Sequence, residues 1–191
     1  MIAGSARGRR LCGPAGADIR PTADRAKEAL FSILGDRVEG ARVLDLFAGS
    51  GALGIEALSR GGGFAVFVDR QQASLTLVRR NLDLCRLQSR ALVLQRDLER
   101  GAGFVAGLGQ SPFDIVFCDP PYGRQWGEKV LAWFADGVLL SAEGVLVIEE
   151  RSGEKLPEAC GRLGLTDQRR YGDSSFWFYR RSPAEIPSGD P

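Results

Sequence analysis

The chain of 191 residues contains no histidine. This excludes a histidine-based triad, a histidine metal site and a histidine general base. Any chemistry must run on carboxylates, backbone groups, aromatic rings or an organic cofactor. Cysteine is scarce. Cys12, Cys85, Cys118 and Cys160 lie far apart, form no C-x-x-C pair and, for the most part, sit among apolar neighbours. They read as reduced residues of a cytoplasmic protein. Long hydrophobic runs are missing too: no stretch approaches the ~20 apolar residues of a membrane span, and the first residues lack the apolar core of a secretory signal. No membrane and no metal are expected as partners. Neither sign of charge is in excess, with 25 Lys and Arg against 24 Asp and Glu, so the whole molecule is no polycation. Locally it differs. Arg7, Arg9, Arg10, Arg20, Arg25 and Lys27 face only Asp18 and Asp24 in the first 27 residues, a basic face suited to phosphates.

What the chain does have is 44% hydrophobic and 26% charged residues, the balance of one soluble globular domain. After a Gly- and Arg-rich start with a weak strand signal, Pro21-Thr22-Ala23-Asp24 opens a helix that runs to Gly35. From Arg42 the pattern alternates. Strands are predicted over 42–47, 64–69, 91–95, 113–118 and 144–149. Helices are predicted over 52–60, 74–87, 98–108, 126–136 and 155–162, the last one weak. Two final strands fall near 165–170 and 175–180, and the tail 182–191 reads as disordered. Regular β-α-β alternation implies an α/β fold with a mostly parallel sheet covered by helices on both faces. Ligands in such sheets bind at the carboxyl ends of the strands. Asp45, Gly49, Asp69, Asp97 and Asp119 all fall there.

Gly49-Ser50-Gly51-Ala52-Leu53-Gly54 matches G-x-G-x-x-G between a strand and a helix, with Asp69 ending the next strand. By pattern this is a dinucleotide fingerprint. Charge argues otherwise, because Asp45 just before the loop would repel a pyrophosphate. S-adenosylmethionine carries an ammonium and a sulfonium in place of phosphates. Its ribose hydroxyls can donate to Asp69, and Asp97 stands where its adenine needs a polar group.

Asp119-Pro120-Pro121-Tyr122 follows the strand Phe113–Cys118. Two consecutive prolines fix φ near −65° and remove two donors, and the residue before a proline is kept out of the helical region. The turn therefore holds a carboxylate, free carbonyls and an aromatic ring in a stiff array. A flat base can stack on Tyr122 while its amine donates to Asp119 and to the Pro120 carbonyl. Cys118 reads as a small core residue rather than a nucleophile, and Trp126 and Trp133, a helical heptad apart, as packing. Glu149 and Glu150 end the fifth predicted strand without an assigned role.

These segments together resemble a known family. Asp45 to Gly54 followed by Glu56-Ala57-Leu58-Ser59-Arg60-Gly61 is similar to the cofactor loop of RsmD-type 16S rRNA guanine-N2 methyltransferases. So are Arg20-Pro21-Thr22, Asp24-Arg25 and Glu28 to Phe31, the Gly/Arg-rich start (Gly4, Arg7, Gly8, Arg9, Arg10) and the D-P-P-[YF] turn. The resemblance covers the chain to about Tyr179. It implies a Rossmann-like class I methyltransferase fold with a seven-stranded sheet, S-adenosyl-L-methionine as cofactor, and cofactor contacts from Asp45, Phe47, Ala48, Gly49, Ser50, Gly51, Asp69, Arg70, Asp97 and Leu98. It implies catalysis by Asp119, Pro120, Pro121 and Tyr122. The acceptor implied is a guanine of 16S rRNA, the guanine 966 site, in the small ribosomal subunit or a late assembly intermediate, met by a monomer. Residues 1–36, a short hairpin and helix, would be an RNA-docking extension using Arg7, Arg9, Arg10, Arg20, Arg25 and Lys27, and residues 37–181 the methyltransferase domain. Two alternatives stay open at this point: an amino-group methyltransferase for adenine or cytosine of RNA or DNA, and, further off, a nicotinamide-dependent oxidoreductase.

Overall fold

The alternating pattern folds into one sheet. The computed structural model describes residues 1–14, 21–109 and 112–182. Helix α1 (Pro21–Leu34) leads into β1 (Arg42–Leu46), α2 (Ala52–Ser59), β2 (Phe64–Asp69), α3 (Gln72–Cys85), β3 (Ala91–Gln95), β4 (Phe113–Cys118), α4 (Trp126–Phe134), β5 (Leu140–Arg151), β6 (Ala159–Cys160), β7 (Leu163–Tyr171) and β8 (Ser174–Arg181). The strand order is β3-β2-β1-β4-β5-β8-β7-β6. The first five pair in parallel, and β5, β8, β7 and β6 pair antiparallel.

The central parallel strands β1, β2 and β4 are buried on both faces, which is why they read as largely apolar runs, while the edge strand β3 is only half-buried. Val43, Ala65, Phe67, Ile115 and Phe117 face one core with α1, α2 and α3. Leu44, Val66, Val68, Val116 and Cys118 alternate onto the other, with α4. The chain winds outward in opposite senses from β1 and β4, which are neighbours. The carboxyl ends of these two strands therefore bound the crevice where doubly wound sheets bind ligands.

Four details differ from the sequence reading. The sheet has eight strands rather than seven, because a two-residue β6 pairs with the outer edge of β7. No helix forms over 155–162. Pro157 offers no donor there, Gly161 takes a left-handed φ of +56°, and the segment joins the sheet edge instead. The expected helix over 98–108 divides into two 3-10 turns, Leu98–Arg100 and Gly103–Leu108, because Gly101 between them has φ +86°.

Among the described residues 1–14 no strand forms, and the expected short hairpin is represented only by backbone bonds that close Met1 on Gly8 and Arg9. Residues 1–14 contain one 3-10 turn, Gly4–Ala6, clamped to α2 and α3. Glu56, fully buried, accepts from the N–H groups of Ile2 and Ala3, both at 3.0 Å, and pairs with Arg60 at 2.8 Å. The Ser59 hydroxyl accepts from Ala6 N–H at 2.9 Å and donates to the Ala3 carbonyl at 2.6 Å. Gly4 has φ +75°, and a Cβ there would lie 1.7 Å from the Ser59 carbonyl oxygen. Only glycine permits this approach.

Candidate active site

The glycine loop is shaped by what lies beneath it. Gly51 has φ +77°, and a Cβ on it would crowd Ile55, Phe67 and Val78 at 3.1–3.3 Å. A Cβ on Gly54 would fall 2.4 Å from the Phe67 ring, so helix α2 reaches the sheet only because this residue is glycine. Two carboxylates hold the loop. Asp45 is buried under it and accepts from Gly54 N–H at 2.9 Å. Asp69 accepts from Gly49 N–H at 3.0 Å through one oxygen and from Gln71 N–H at 2.8 Å through the other. Each Asp69 oxygen keeps a second lone pair.

Burial pushes the Asp45 carboxyl up to about 7, against the Gly54 hydrogen bond and with the negative charge of Asp69 adding to the rise. The loss of water around Asp119 pushes its carboxyl well above the usual carboxylate range, and the charges of Glu149, Asp45 and Glu150 add to this. Asp119 nevertheless has an exposed surface, so water in the cleft screens it and weakens the effect. Burial and the nearby carboxylates also hold the Cys118 thiol well above its ordinary value, which suits a core residue and not a nucleophile.

Of the sequence-predicted residues, Phe47, Gly49, Asp69, Arg70, Asp97, Leu98, Asp119 and Pro121 line a single cleft of about 270 Å³ at the carboxyl edge. Asp45, Ala48, Ser50, Gly51 and Pro120 are not among its lining residues. Tyr122 also stands outside the cleft. Its hydroxyl lies 2.9 Å from Ser174 Oγ and donates to Glu149 Oε1 at 3.3 Å, while its ring stays 44% exposed.

Sequence reasoning missed Gln71, Ser74, Arg96, Glu99, Arg124 and Trp126 in this cleft. Gln71 and Ser74 follow Asp69 closely and could have been found from the loop after the second strand. Trp126 was legible only as packing, and it does pack: it joins the core and meets Phe47 edge to face. Glu99 draws Arg70 and Arg124 together, each at 3.5 Å. An ionic strap thus joins the loops after β2, β3 and β4 at the cleft.

The basic residues of the N-terminal region are not equivalent. Arg7, Arg10 and Arg25 are exposed. The Arg9 guanidinium donates to the Leu84 carbonyl at the end of α3, and Lys27 pairs with Asp24 at 3.5 Å. Arg20 lies outside the described residues. Asn81, fully buried on α3, accepts from Cys12 N–H at 2.7 Å and donates to the carbonyls of Cys12 and Ser50, both at 2.9 Å. One side chain therefore joins the N-terminal segment to the glycine loop.

The donor set suits S-adenosylmethionine. Phe47, Leu98 and Trp126 give apolar walls for a purine, Asp69 and Asp97 give acceptors for hydroxyl and amine, and four carboxylates outnumber three guanidiniums around a cationic ligand. Fold and site together define a class I S-adenosylmethionine-dependent methyltransferase.

The chain belongs to the family described as "Conserved hypothetical protein 95", whose model matches residues 1–180. This is the RsmD-type group of rRNA small-subunit methyltransferases. It is 39% identical over 181 residues to YlbH of Bacillus subtilis, a provisionally named rRNA methyltransferase, covering 95% of this chain and 98% of that one. It is 33% identical to the Ribosomal RNA small subunit methyltransferase D of Escherichia coli, covering 95% and 89%. The solved structure of E. coli YhhF, provisionally named a methyltransferase, superposes with a TM-score of 0.79 at 33% identity over 95% of this chain and 97% of that one. Membership of this family displaces the nicotinamide alternative.

Proposed function

We propose that this protein transfers the methyl group of S-adenosylmethionine to the exocyclic N2 of guanine 966 in 16S rRNA. It acts as a cytoplasmic monomer on the small ribosomal subunit or a late assembly intermediate. The observation that carries this reading is the position of Asp119. It directly follows β4 beside the β1 glycine loop, lines the same cleft as Gly49 and Asp69, and opens the Pro120-Pro121-Tyr122 turn.

When bound, S-adenosylmethionine supplies a methyl group already activated on a sulfonium. The residues must deal with the acceptor, an amine whose lone pair is delocalised into its ring. Asp119 and the Pro120 carbonyl each accept one hydrogen bond from it. This turns the lone pair toward the cleft and stabilises the positive charge that develops on nitrogen. The Tyr122 ring stacks on the extruded base, an interaction worth about 1–3 kcal/mol. Positioning of this kind supplies much of the rate. The methylated nitrogen is acidic enough to lose its proton without a dedicated base, so the lack of histidine is no obstacle.

Residues 1–36 serve as the docking layer, with Arg7, Arg10 and Arg25 contacting phosphates. The test uses labelled cofactor and two substrates: free 16S rRNA, and small subunits from cells that lack the modification. Label on guanine N2 of 16S rRNA is expected. Label on adenine, on cytosine, in DNA or in protein overturns the assignment.

A further inference from the structure

Three bases carry an exocyclic amine, and Asp119 with a proline carbonyl could hold any of them. Selection of guanine must come from elsewhere. Strands β4 and β5 are parallel, with Cys118 in register with Ile148. Asp119, the first residue after β4, and Glu149, the next residue of β5 and still paired with Phe176 of β8, therefore stand side by side at the carboxyl end of β4. Their alternation also agrees: Phe117 and Val147 both face the α1–α3 side, and two-residue periodicity carries Asp119 and Glu149 to that side as well. The Tyr122 hydroxyl donates to Glu149 Oε1 at 3.3 Å and contacts Ser174 at 2.9 Å. The ring proposed to stack on the base is thus anchored to the second carboxylate. Two acceptors and one aromatic face make a single frame.

We infer that Glu149 is the specificity-determining residue of this site, accepting the ring N1–H of guanine while Asp119 accepts from its N2 amine. The chemistry of the bases supports this choice. Guanine alone places a ring N–H next to its amine. Adenine and cytosine present a ring-nitrogen lone pair there, which a carboxylate repels. A carboxylate can only accept, and it has about four acceptor positions, so holding Tyr122 at Oε1 leaves room for N1–H. The pair of carboxylates favours one base and opposes the other two. This inference rests on the proposed guanine-N2 activity.

The experiment uses the full chain and small subunits reconstituted with a synthetic 16S rRNA segment. The segment carries guanine, inosine or 2-aminopurine at the nucleotide that the wild-type protein labels. Inosine lacks the acceptor amine and sets the background. 2-Aminopurine keeps the amine but has a lone pair at N1. Wild type is expected to favour guanine by at least about 10²-fold in kcat/KM, since a site built to bond a donor rejects the analogue lacking it. E149Q can donate to that lone pair, and should narrow the ratio to within about tenfold or reverse it. S174A loosens Tyr122 without touching the carboxylate, and should lower both substrates alike with the ratio intact.

An equal loss on both bases in E149Q, or an unchanged ratio, means that Glu149 only holds Tyr122 and overturns the inference. Should E149Q not fold, E149D keeps the charge but withdraws it by one methylene. It must then cost guanine more than 2-aminopurine, and equal losses again overturn the inference. If wild type labels no guanine at all, the proposed function itself fails and this inference falls with it. That outcome is seen before any variant is made.

Discussion

Phe47 and Trp126 meet edge to face, with ring centroids 4.9 Å apart and planes at 65°. Phe47 opens the glycine loop with φ +58°, and Trp126 opens α4 directly after Gln125 with φ +55°. Left-handed backbone at such residues costs about 1–3 kcal/mol each and gathers at functional sites. Here the two strained loops follow the neighbouring strands β1 and β4, and the ring contact ties the glycine loop to the loop that carries Asp119. Edge-to-face pairs contribute about 0.5–1.5 kcal/mol beyond burial. Phe47→Ala should therefore weaken cofactor binding about 2- to 10-fold, along with a fall in melting temperature. Titration calorimetry with S-adenosylmethionine tests this, and an unchanged Kd refutes the coupling.

Asp119→Ala should lower kcat by about 10²–10³, as removal of one charge-stabilising group does elsewhere, with cofactor affinity nearly unchanged. The wild-type carboxyl holds its proton to higher pH than an ordinary aspartate, because lost hydration and then Glu149, Asp45 and Glu150 disfavour the ionised form. Only the ionised form accepts freely, so turnover should climb with pH along an acid limb displaced above the range of an ordinary aspartate. A flat profile across that limb contradicts the role.

Asp45 makes the fold itself pH-dependent. Its carboxyl rises from 3.8 to about 7 on folding. Between those values the native state binds more protons than the unfolded state, so stability falls as pH rises. The loss reaches roughly 4 kcal/mol, at 1.36 kcal/mol for each tenfold change in proton affinity. Asp45→Asn, which keeps an acceptor for Gly54 N–H, should flatten the curve between about pH 4 and pH 7. Urea denaturation across that range decides. The idea fails if both proteins show the same slope.

Asn81 satisfies three backbone groups at once, two on Cys12 and one on Ser50. Asn81→Ala leaves buried polar groups unpaired, at about 1–3 kcal/mol for each one that water cannot reach. Denaturation should show a loss of at least about 2 kcal/mol, and cofactor affinity should fall with it because the glycine loop is released. Retention of full stability and affinity would remove Asn81 from this role.

The strap of Arg70, Glu99 and Arg124 is solvent-exposed, with side chains 50–55% accessible. Such pairs add little stability, about 1 kcal/mol or less. Glu99→Gln should leave the melting temperature nearly unchanged but free two guanidiniums beside the cleft. RNA affinity at low salt should rise, and the slope of log K against log salt should steepen by about 0.7–0.9 for each new phosphate contact. Fluorescence anisotropy over a salt series measures it, and an unaltered slope excludes release of the arginines.

Much of the site was legible from residue order alone. A carboxylate that ends a strand, a glycine that precedes a helix and a proline pair that stiffens a turn all act over a few residues, so Gly49, Asp69, Asp97 and Asp119 could be placed in advance. Strands buried on both faces declared themselves through apolar runs, Phe64 to Val68 in β2 and Ile115 to Cys118 in β4. Hairpin and edge elements did not. The two residues of β6 have no pattern of their own, and exist because β7 offers them an unpaired edge.

Local chemistry in the chain therefore determined the α/β class, the glycine loop, the proline turn and the absence of histidine chemistry. Tertiary structure alone decided that Asp45 is buried under the loop and shares no wall of the cleft, that Glu99 gathers Arg70 and Arg124, and that Glu149 stands beside Asp119 with Tyr122 tied to it. The reason is distance along the chain. Turn geometry is set by neighbouring φ angles and donors, which a sequence displays, whereas Glu149 lies 27 residues from Tyr122 and meets it only through the register of β5 on β4 and β8. That register is fixed by packing of whole layers, a sum over many weak contacts that no short motif records.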